Sequence, residues 1–198
     1  MRRLKDAHYR DLNEQQVSNF LTAITSLCAG TRFEEDIFDW STHLELELCL
    51  KLIACPYFEK KLRGVSLISS ICERNEYILK TDLFEKWKAK VRLVELLFVS
   101  DNQEFIKKSC ELVRFLFVKG HISEGEVEEI WKSREGKHET VIKEIYTLIS
   151  EFPLYQTDVE AKLKLFGKIS AVPKEEWDED YIRLIKEMSD NSYGMYVR

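Results

Sequence analysis

Glycine and proline are scarce, seven and three in 198 residues. That scarcity argues against a turn-rich β-sandwich and for long elements joined by short connections. Long apolar runs are missing too: the longest, Leu112 to Val118, is interrupted by Arg114 and is far too short to span a bilayer. No basic-then-apolar signal segment stands at the N-terminus. Cys28, Cys49, Cys55, Cys72 and Cys110 are odd in number, lack any Cys-x-x-Cys spacing and mostly sit in apolar helical stretches. They read as reduced, buried thiols behaving as small hydrophobes. A broad positive field is also absent, because 30 Lys and Arg face 35 Asp and Glu for a net charge of −5. Nothing here neutralises phosphates or anionic lipid. The basic clusters Arg2-Arg3-Leu4-Lys5 and Lys60-Lys61-Leu62-Arg63 have acidic neighbours and read as solvated helix faces. These absences together predict a soluble, cytoplasmic protein that does not have nucleic acid or membrane as its partner.

What is present is helical punctuation. A capping residue followed three positions later by an acidic or amide residue recurs at Thr42 and Glu45, Ser100 and Gln103, Ser123 and Glu126, and Thr157 and Glu160. In such a box each side chain satisfies an orphaned amide of the first turn. Apolar residues follow a period near 3.6, as in Phe105, Ile106, Leu112, Val113, Leu116 and Phe117, and again in Val141, Ile142, Ile145, Tyr146 and Ile149. With stops at Gly30, Pro56, Gly120, Gly136 and Pro153, helices are predicted near 13–29, 42–54, 57–74, 82–98, 101–118, 123–134, 138–151, 157–170 and 177–189. The polar stretch Lys86 to Lys90 can break the fourth into two.

Successive helix pairs recur on a scale of roughly 35 to 40 residues, the scale of solenoids whose pairs cannot bury their apolar faces alone. The fold class expected is all-α, an irregular armadillo/HEAT-like stack of antiparallel helix pairs forming an α-α superhelix. Strong linkers are missing, so residues 1–198 read as one continuous helical-repeat domain. The apolar tail Tyr193, Met195, Tyr196 and Val197 looks like a chain cut before its next helix, a fragment of something longer.

Candidate chemistry is thin. His8, His43, His121 and His138 have no ligand-spaced partners, so no metal site is predicted. Adjacent acidic pairs such as Glu128-Glu129 diverge by about 100° on a helix and read as solvated rims. Gly136-Lys137-His138-Glu139 invites a phosphate-loop reading, yet it has one glycine, no preceding strand and no Walker spacing. A structural corner fits better. Gly136 ends the helix holding Trp131 with a left-handed residue, Lys137 or His138 begins the next, and Glu139 complements its dipole. Trp131 then wedges against the following helix. Trp40, Trp87, Trp177, Tyr193 and Tyr196 lie near helix ends and are weighed as core packing against partner anchors. A small thiol enzyme using Cys28 or Cys110 with His121 or His138 is the alternative from another class.

The run Ser123-Glu124-Gly125-Glu126-Val127-Glu128-Glu129-Ile130-Trp131, then Gly136-Lys137-His138-Glu139, then Val141, Ile145, Tyr146 and Leu148, resembles the helical region of giant ubiquitin-specific proteases of the fat facets type. Weaker similarity extends over about residues 45–198, through Lys61-Leu62-Arg63-Gly64-Val65, Leu83 to Trp87 and Phe166; residues 1–44 show none. That family's catalytic domain carries a Gly-x-Thr-Cys-Tyr-x-Asn box and a Gly-His-Tyr triplet. Neither occurs here: Cys28 is followed by Ala29-Gly30, Cys72 by Glu73-Arg74, and His8-Tyr9 is preceded by Ala7. No catalytic, cofactor-binding or metal-binding residue carries over. The resemblance implies a non-catalytic arm, an armadillo-like protein-binding scaffold that positions substrates or regulators for a deubiquitinase whose peptidase domain lies elsewhere. A free-standing helical adaptor unrelated to ubiquitin is the other reading.

The segment around Leu112 to Val118 is apolar on nearly every side and should lie at the centre of the stack, with Phe105, Val113, Leu116 and Phe117 inward. Leu116→Ala is therefore expected to cost roughly 2–5 kcal/mol through the cavity it leaves. A denaturant midpoint unchanged within error would show the placement to be wrong.

Overall fold

The computed structural model describes residues 14–74, 78–79, 81–155 and 158–193. Thr157, Tyr196, the 194–198 tail, His8 and the Arg2–Lys5 cluster fall outside the described residues. Among those described, every regular element is helical: α1 Glu14–Cys28, α2 Glu34–Ile53, α3 Phe58–Arg74, α4 Asp82–Val91, α5 Leu93–Phe98, α6 Gln103–Val118, α7 Glu124–Lys132, α8 Glu139–Tyr155, α9 Val159–Ser170, a 3-10 turn Lys174–Glu176, and α10 Glu179–Tyr193. The chain forms two compact units, which divide between Lys86 and Trp87 inside α4.

In the first unit α2 packs on both α1 and α3. Helices α2 and α3 run antiparallel, since Arg74 at the end of α3 reaches Glu45 in the middle of α2 at 2.7 Å while the earlier Gly64 lies against the later Cys49 and Ile53. Gly64 sets how closely the two helices approach. A Cβ there would stand 2.8 Å from both the Cys49 carbonyl oxygen and Ile53 Cγ1. Around this contact Leu46, Cys49, Leu52, Val65, Ile68 and Cys72 are buried, and Val17 and Leu21 of α1 join them.

The second unit is built from three successive helix pairs, α5/α6, α7/α8 and α9/α10. Helices α6, α8 and α10 begin at Gln103, Glu139 and Glu179, 36 and 40 residues apart. They lie side by side, α8 between α6 and α10, and they run parallel. Gln103 and Arg114 of α6 meet Glu144 and Glu151 of α8 in ascending order, at 3.1 and 3.2 Å. Lys143 and Ser150 of α8 meet Asp180 and Asn191 of α10 likewise, at 3.5 and 2.7 Å. The other row is α5, α7 and α9: α5 packs on α7, and Glu124 and Glu128 of α7 pair with Lys164 and Lys168 of α9, again in ascending order. Repeated pairs in parallel register are the signature of a helical solenoid. Between the rows lie Phe105, Leu112, Val113, Leu116 and Phe117 of α6, Ile130 of α7 and Val141, Ile145 and Ile149 of α8, all buried.

Local sequence rules account for several of these ends. Ser123 caps α7 in a complete capping box with Glu126. Helix α6 ends at Gly120, φ +78°, with His121 N–H returning to the Leu116 carbonyl at 2.8 Å and Gly120 N–H to Phe117 at 2.9 Å. That is the Schellman arrangement, which needs a left-handed residue best supplied by glycine.

Other expectations fail for identifiable reasons. Thr42 does not start α2; it is buried mid-helix, and the helix begins eight residues earlier, where Glu34, Glu35 and Asp36 fill the first turn and Gly30 N–H donates to the Glu34 carboxylate at 2.6 Å. Asn102, not Ser100, caps α6, accepting Phe105 N–H at 3.1 Å. Asp158 caps α9 by accepting Glu160 N–H at 2.8 Å. The break in 82–98 falls at Arg92, φ +49°, and not within Lys86 to Lys90. Pro153 does not stop α8, which continues to Tyr155. Proline removes the amide that would serve the Ile149 carbonyl, and one residue on, the Ser150 carbonyl takes the Asn191 side-chain amide from α10 at 2.7 Å.

Replacing Gly64 by alanine puts a methyl into the 2.8 Å approach to α2. Destabilisation of about 1–3 kcal/mol is expected, read by hydrogen exchange of α2 and α3 amides. Unchanged exchange there would show that the helices separate without cost.

Candidate functional site

The polar corner between α7 and α8 concentrates more specific contacts than its composition suggests. Helix α7 ends at Lys132, and the Ser133 N–H returns to the Glu129 carbonyl at 2.9 Å. One further turn follows, closed by Lys137 N–H on the Arg134 carbonyl at 3.2 Å, with Gly136 at φ +74° inside it. Gly136 thus ends this extra turn, four residues past the helix proper. His138 then begins α8: its carbonyl accepts Val141 and Ile142 N–H at 2.9 and 3.1 Å, and its Nδ1 accepts Thr140 N–H at 3.3 Å. Glu139 sits in the first turn, where a carboxylate suits the positive end of the helix dipole.

Lys137 reaches back across the fold. Its side chain is only 9% exposed, and its Nζ donates to the Ser100 carbonyl at 3.0 Å and meets Asp101 at 2.9 Å. A cation is thereby placed on carbonyls just beyond the C-terminus of α5, where the helix dipole is negative. Lys88 of α4 does the same just beyond the C-terminus of α6. Its side chain is 6% exposed, and its Nζ donates to the His121 carbonyl and to Glu126 at 3.3 Å, the same glutamate that completes the α7 capping box. Both ammonium groups are spent on holding corners, which removes the free cation that a phosphate loop would need.

Trp131 is buried and anchors an aromatic cluster with Tyr146 of α8 and Tyr181 of α10, at centroid separations of 5.9 and 6.4 Å. Tyr146 and Tyr181 meet edge to face at 5.7 Å, and Trp177 lies 5.7 Å from Tyr181. The Arg134 guanidinium covers the Trp131 ring at 3.7 Å and donates to the Trp131 carbonyl at 2.7 Å. Trp177 donates its indole N–H to the Val172 carbonyl at 3.0 Å, and the Tyr181 hydroxyl donates to the Ile169 carbonyl. Burial first, and Tyr146 second, push the Tyr181 phenol up to about 12. Trp87 is buried as well and Trp40 half-buried, while the Tyr193 side chain is outside the described set. Sequence reading missed Arg134 and, although it placed Lys137 at the corner, missed the contacts that Lys137 makes. Arg134 carries a faint signal, three residues after Trp131 on one helical face; Lys137 carries none, because its partners lie 36 to 38 residues away.

Cys28 ends α1 in the first unit, and Cys110, His121 and His138 lie in the second, where Cys110 and His138 make their contacts with other groups. Cys110 is buried in α6 with its Sγ 3.8 Å from the Glu144 carbonyl, whereas His138 is engaged at the start of α8. Burial, aided by nearby glutamates, pushes the Cys110 thiol up to about 12, and burial with Glu73 does the same to Cys72. Thiols so placed hold their protons and are poor nucleophiles. Among the described residues, no group of three or more His, Cys, Asp or Glu is placed to hold a metal ion, and no helix is long and apolar enough to cross a membrane.

A two-layer stack of helix pairs, with a Trp-anchored corner joining the second pair, can be set beside known proteins. The family model described as UBP24/USP9X/USP9Y ARM repeat matches residues 41–192. The chain belongs to this family. Similar sequences include ubiquitin carboxyl-terminal hydrolase 24 of Homo sapiens and of Mus musculus, each 22% identical over 158 residues. The match covers 76% of this chain and 6% of either relative. No solved structure matches it. The armadillo-like, all-helical fold expected from capping and spacing is thus the fold of the family, and the resemblance to the helical region of large ubiquitin-specific proteases holds.

Proton retention by Cys72, Cys110 and Tyr181 has a consequence for stability. Each folded-state value lies above the ordinary one, so stability is unaffected below about pH 9 and falls as the pH rises toward 12, where the unfolded chain releases protons that the native chain keeps. The denaturant midpoint is expected to decline over that window. At pH 8, Ellman's reagent should leave Cys72 and Cys110 unmodified until denaturant is added; immediate reaction of either would contradict their burial.

Proposed function

We propose that this chain is a non-catalytic, protein-binding segment of a large deubiquitinase, a helical arm that holds substrates or regulators in place for a peptidase domain elsewhere in the molecule. The observation that carries the reading is the match of an ARM repeat family over residues 41–192 to a chain whose helix pairs stack in parallel register. Relatives named as ubiquitin carboxyl-terminal hydrolases supply the deubiquitinase context. Solenoid architecture supports a binding role because stacked pairs create long continuous surfaces on which a partner can lie. The residues that looked chemical support it too: Lys137 holds corner carbonyls, and two thiols are held in their neutral form by burial. The same reading places the chain in the cytoplasm, in keeping with its free cysteines.

Two measurements test it. The chain alone, mixed with a fluorogenic amide of ubiquitin, is expected to give no turnover; turnover abolished by changing Cys28 or Cys110 would overturn the non-catalytic reading. In a full-length enzyme that carries this region, deleting the part matching 41–192 should leave fluorogenic hydrolysis intact while reducing removal of ubiquitin from protein substrates. Loss of both activities together, or of neither, would count against a positioning arm.

A further inference from the structure

Within the second unit, the seam where the α7/α8 pair meets α9/α10 is not fully closed. Phe117 of α6, Val127 of α7, Phe152 of α8, Ala161 and Leu165 of α9 and Met188 of α10 line a half-open pit of about 30 Å³. Phe117 and Phe152 pack against each other there, with ring centroids 4.2 Å apart. Free ligands of drug or cofactor size occupy pockets of roughly 300–1,000 Å³. The pit is far too small for them and has room for the tip of one aliphatic side chain.

The charges around the pit are engaged with one exception. Lys164 meets Glu124 and Glu160, each at 3.4 Å, and Lys168 meets Glu128. Hydrogen bonding from Lys168 holds the Glu128 carboxyl below its ordinary value, and hydrogen bonds to Glu124 and Glu160 hold the Lys164 ammonium above its own. Asp158, one turn before Lys162, serves as the α9 cap by accepting Glu160 N–H. Lys162 lines the pit as well, and its ammonium has no carboxylate partner among the described residues. An apolar pit with one uncommitted cation in its wall is complementary to an apolar side chain that has a carboxylate beside it.

We propose that this pit receives one aliphatic side chain of a partner protein, whose neighbouring residue in the partner's sequence is an aspartate or glutamate that pairs with Lys162. Volume selects a protein segment over a free ligand, and the unpaired lysine selects an acidic segment over a neutral or basic one. The assignment rests on the reading of the chain as a protein-binding arm and names the chemistry that the arm recognises.

The probe is the peptide acetyl-Gly-Leu-Glu-Gly-amide, titrated into the isotope-labelled full chain and followed by NMR. Amides of Val127, Ala161 and Leu165 are expected to shift saturably. Alanine in place of the peptide's leucine should abolish those shifts. Glutamine in place of its glutamate should weaken binding about fivefold. In Lys162→Gln that glutamate-to-glutamine difference should vanish, whereas Lys107→Gln, a change to an exposed lysine of α6, should preserve it. Absence of shifts at the three amides, or a difference that survives in Lys162→Gln, would overturn the assignment. Tighter binding of isocaproate than of the peptide would do so too, by making the pit a small-carboxylate site. So would a sedimentation mass that rises with concentration in the native chain and not in Lys162→Gln, by making a second copy the occupant. Each of these failures is distinct from failure of the arm itself, which is read from deletion of the region matching 41–192.

Discussion

The constraint on which the second unit depends is that no single helix pair here can bury its own apolar surface. Helix α8 shows this most plainly: Val141, Ile145 and Ile149 are fully buried, yet they are covered by neighbours on two sides, α6 before it and α10 after it. Removing either neighbour would expose apolar area worth about 25 cal/mol per Å². Parallel register follows from the same need. Each α8 position must present the complement of α6 on one side and of α10 on the other, and the ascending series Gln103–Glu144, Arg114–Glu151 and Lys143–Asp180 marks that alignment along the helices.

Exposed ion pairs add little to such a stack on their own, since each gains modest Coulomb energy against the entropy of ordering two side chains. Their value lies in marking register. Lys88 and Lys137 differ because they are buried and hydrogen-bonded to backbone carbonyls at helix ends. An unpaired carbonyl or ammonium in such a place is costly, and each lysine answers two needs at once. That is why a Gly-Lys-His-Glu sequence resembling an anion loop belongs to a corner: its cation is already engaged with the end of α5, and its histidine with the start of α8.

The aromatic cluster joins the corner to the next pair. Trp131, Tyr146 and Tyr181 come from α7, α8 and α10, so one side chain from each of three helices meets within 6.4 Å. Burial of large rings with their polar tips satisfied, as in the Tyr181 hydroxyl on the Ile169 carbonyl, gives the unit both apolar stabilisation and directional constraint.

Much of this was legible without coordinates. Helical class, the α7 capping box, the Gly120 stop and the inward Phe105, Val113, Leu116 and Phe117 follow from period and local hydrogen bonding, which act over three or four residues and are written in adjacent positions. Where competing local signals stood close together, as with Ser100 beside Asn102, or where a strongly acidic first turn preceded Thr42, local rules alone could not rank them. The reach of Lys137 over 36 residues, the burial of Lys88, the continuation of α8 through Pro153 and the close approach at Gly64 were settled only by tertiary structure. The physical reason is range: caps and periodicity are satisfied within one helix, whereas which carbonyl a lysine finds, or which glycine must admit a neighbour, depends on segments that folding alone brings together.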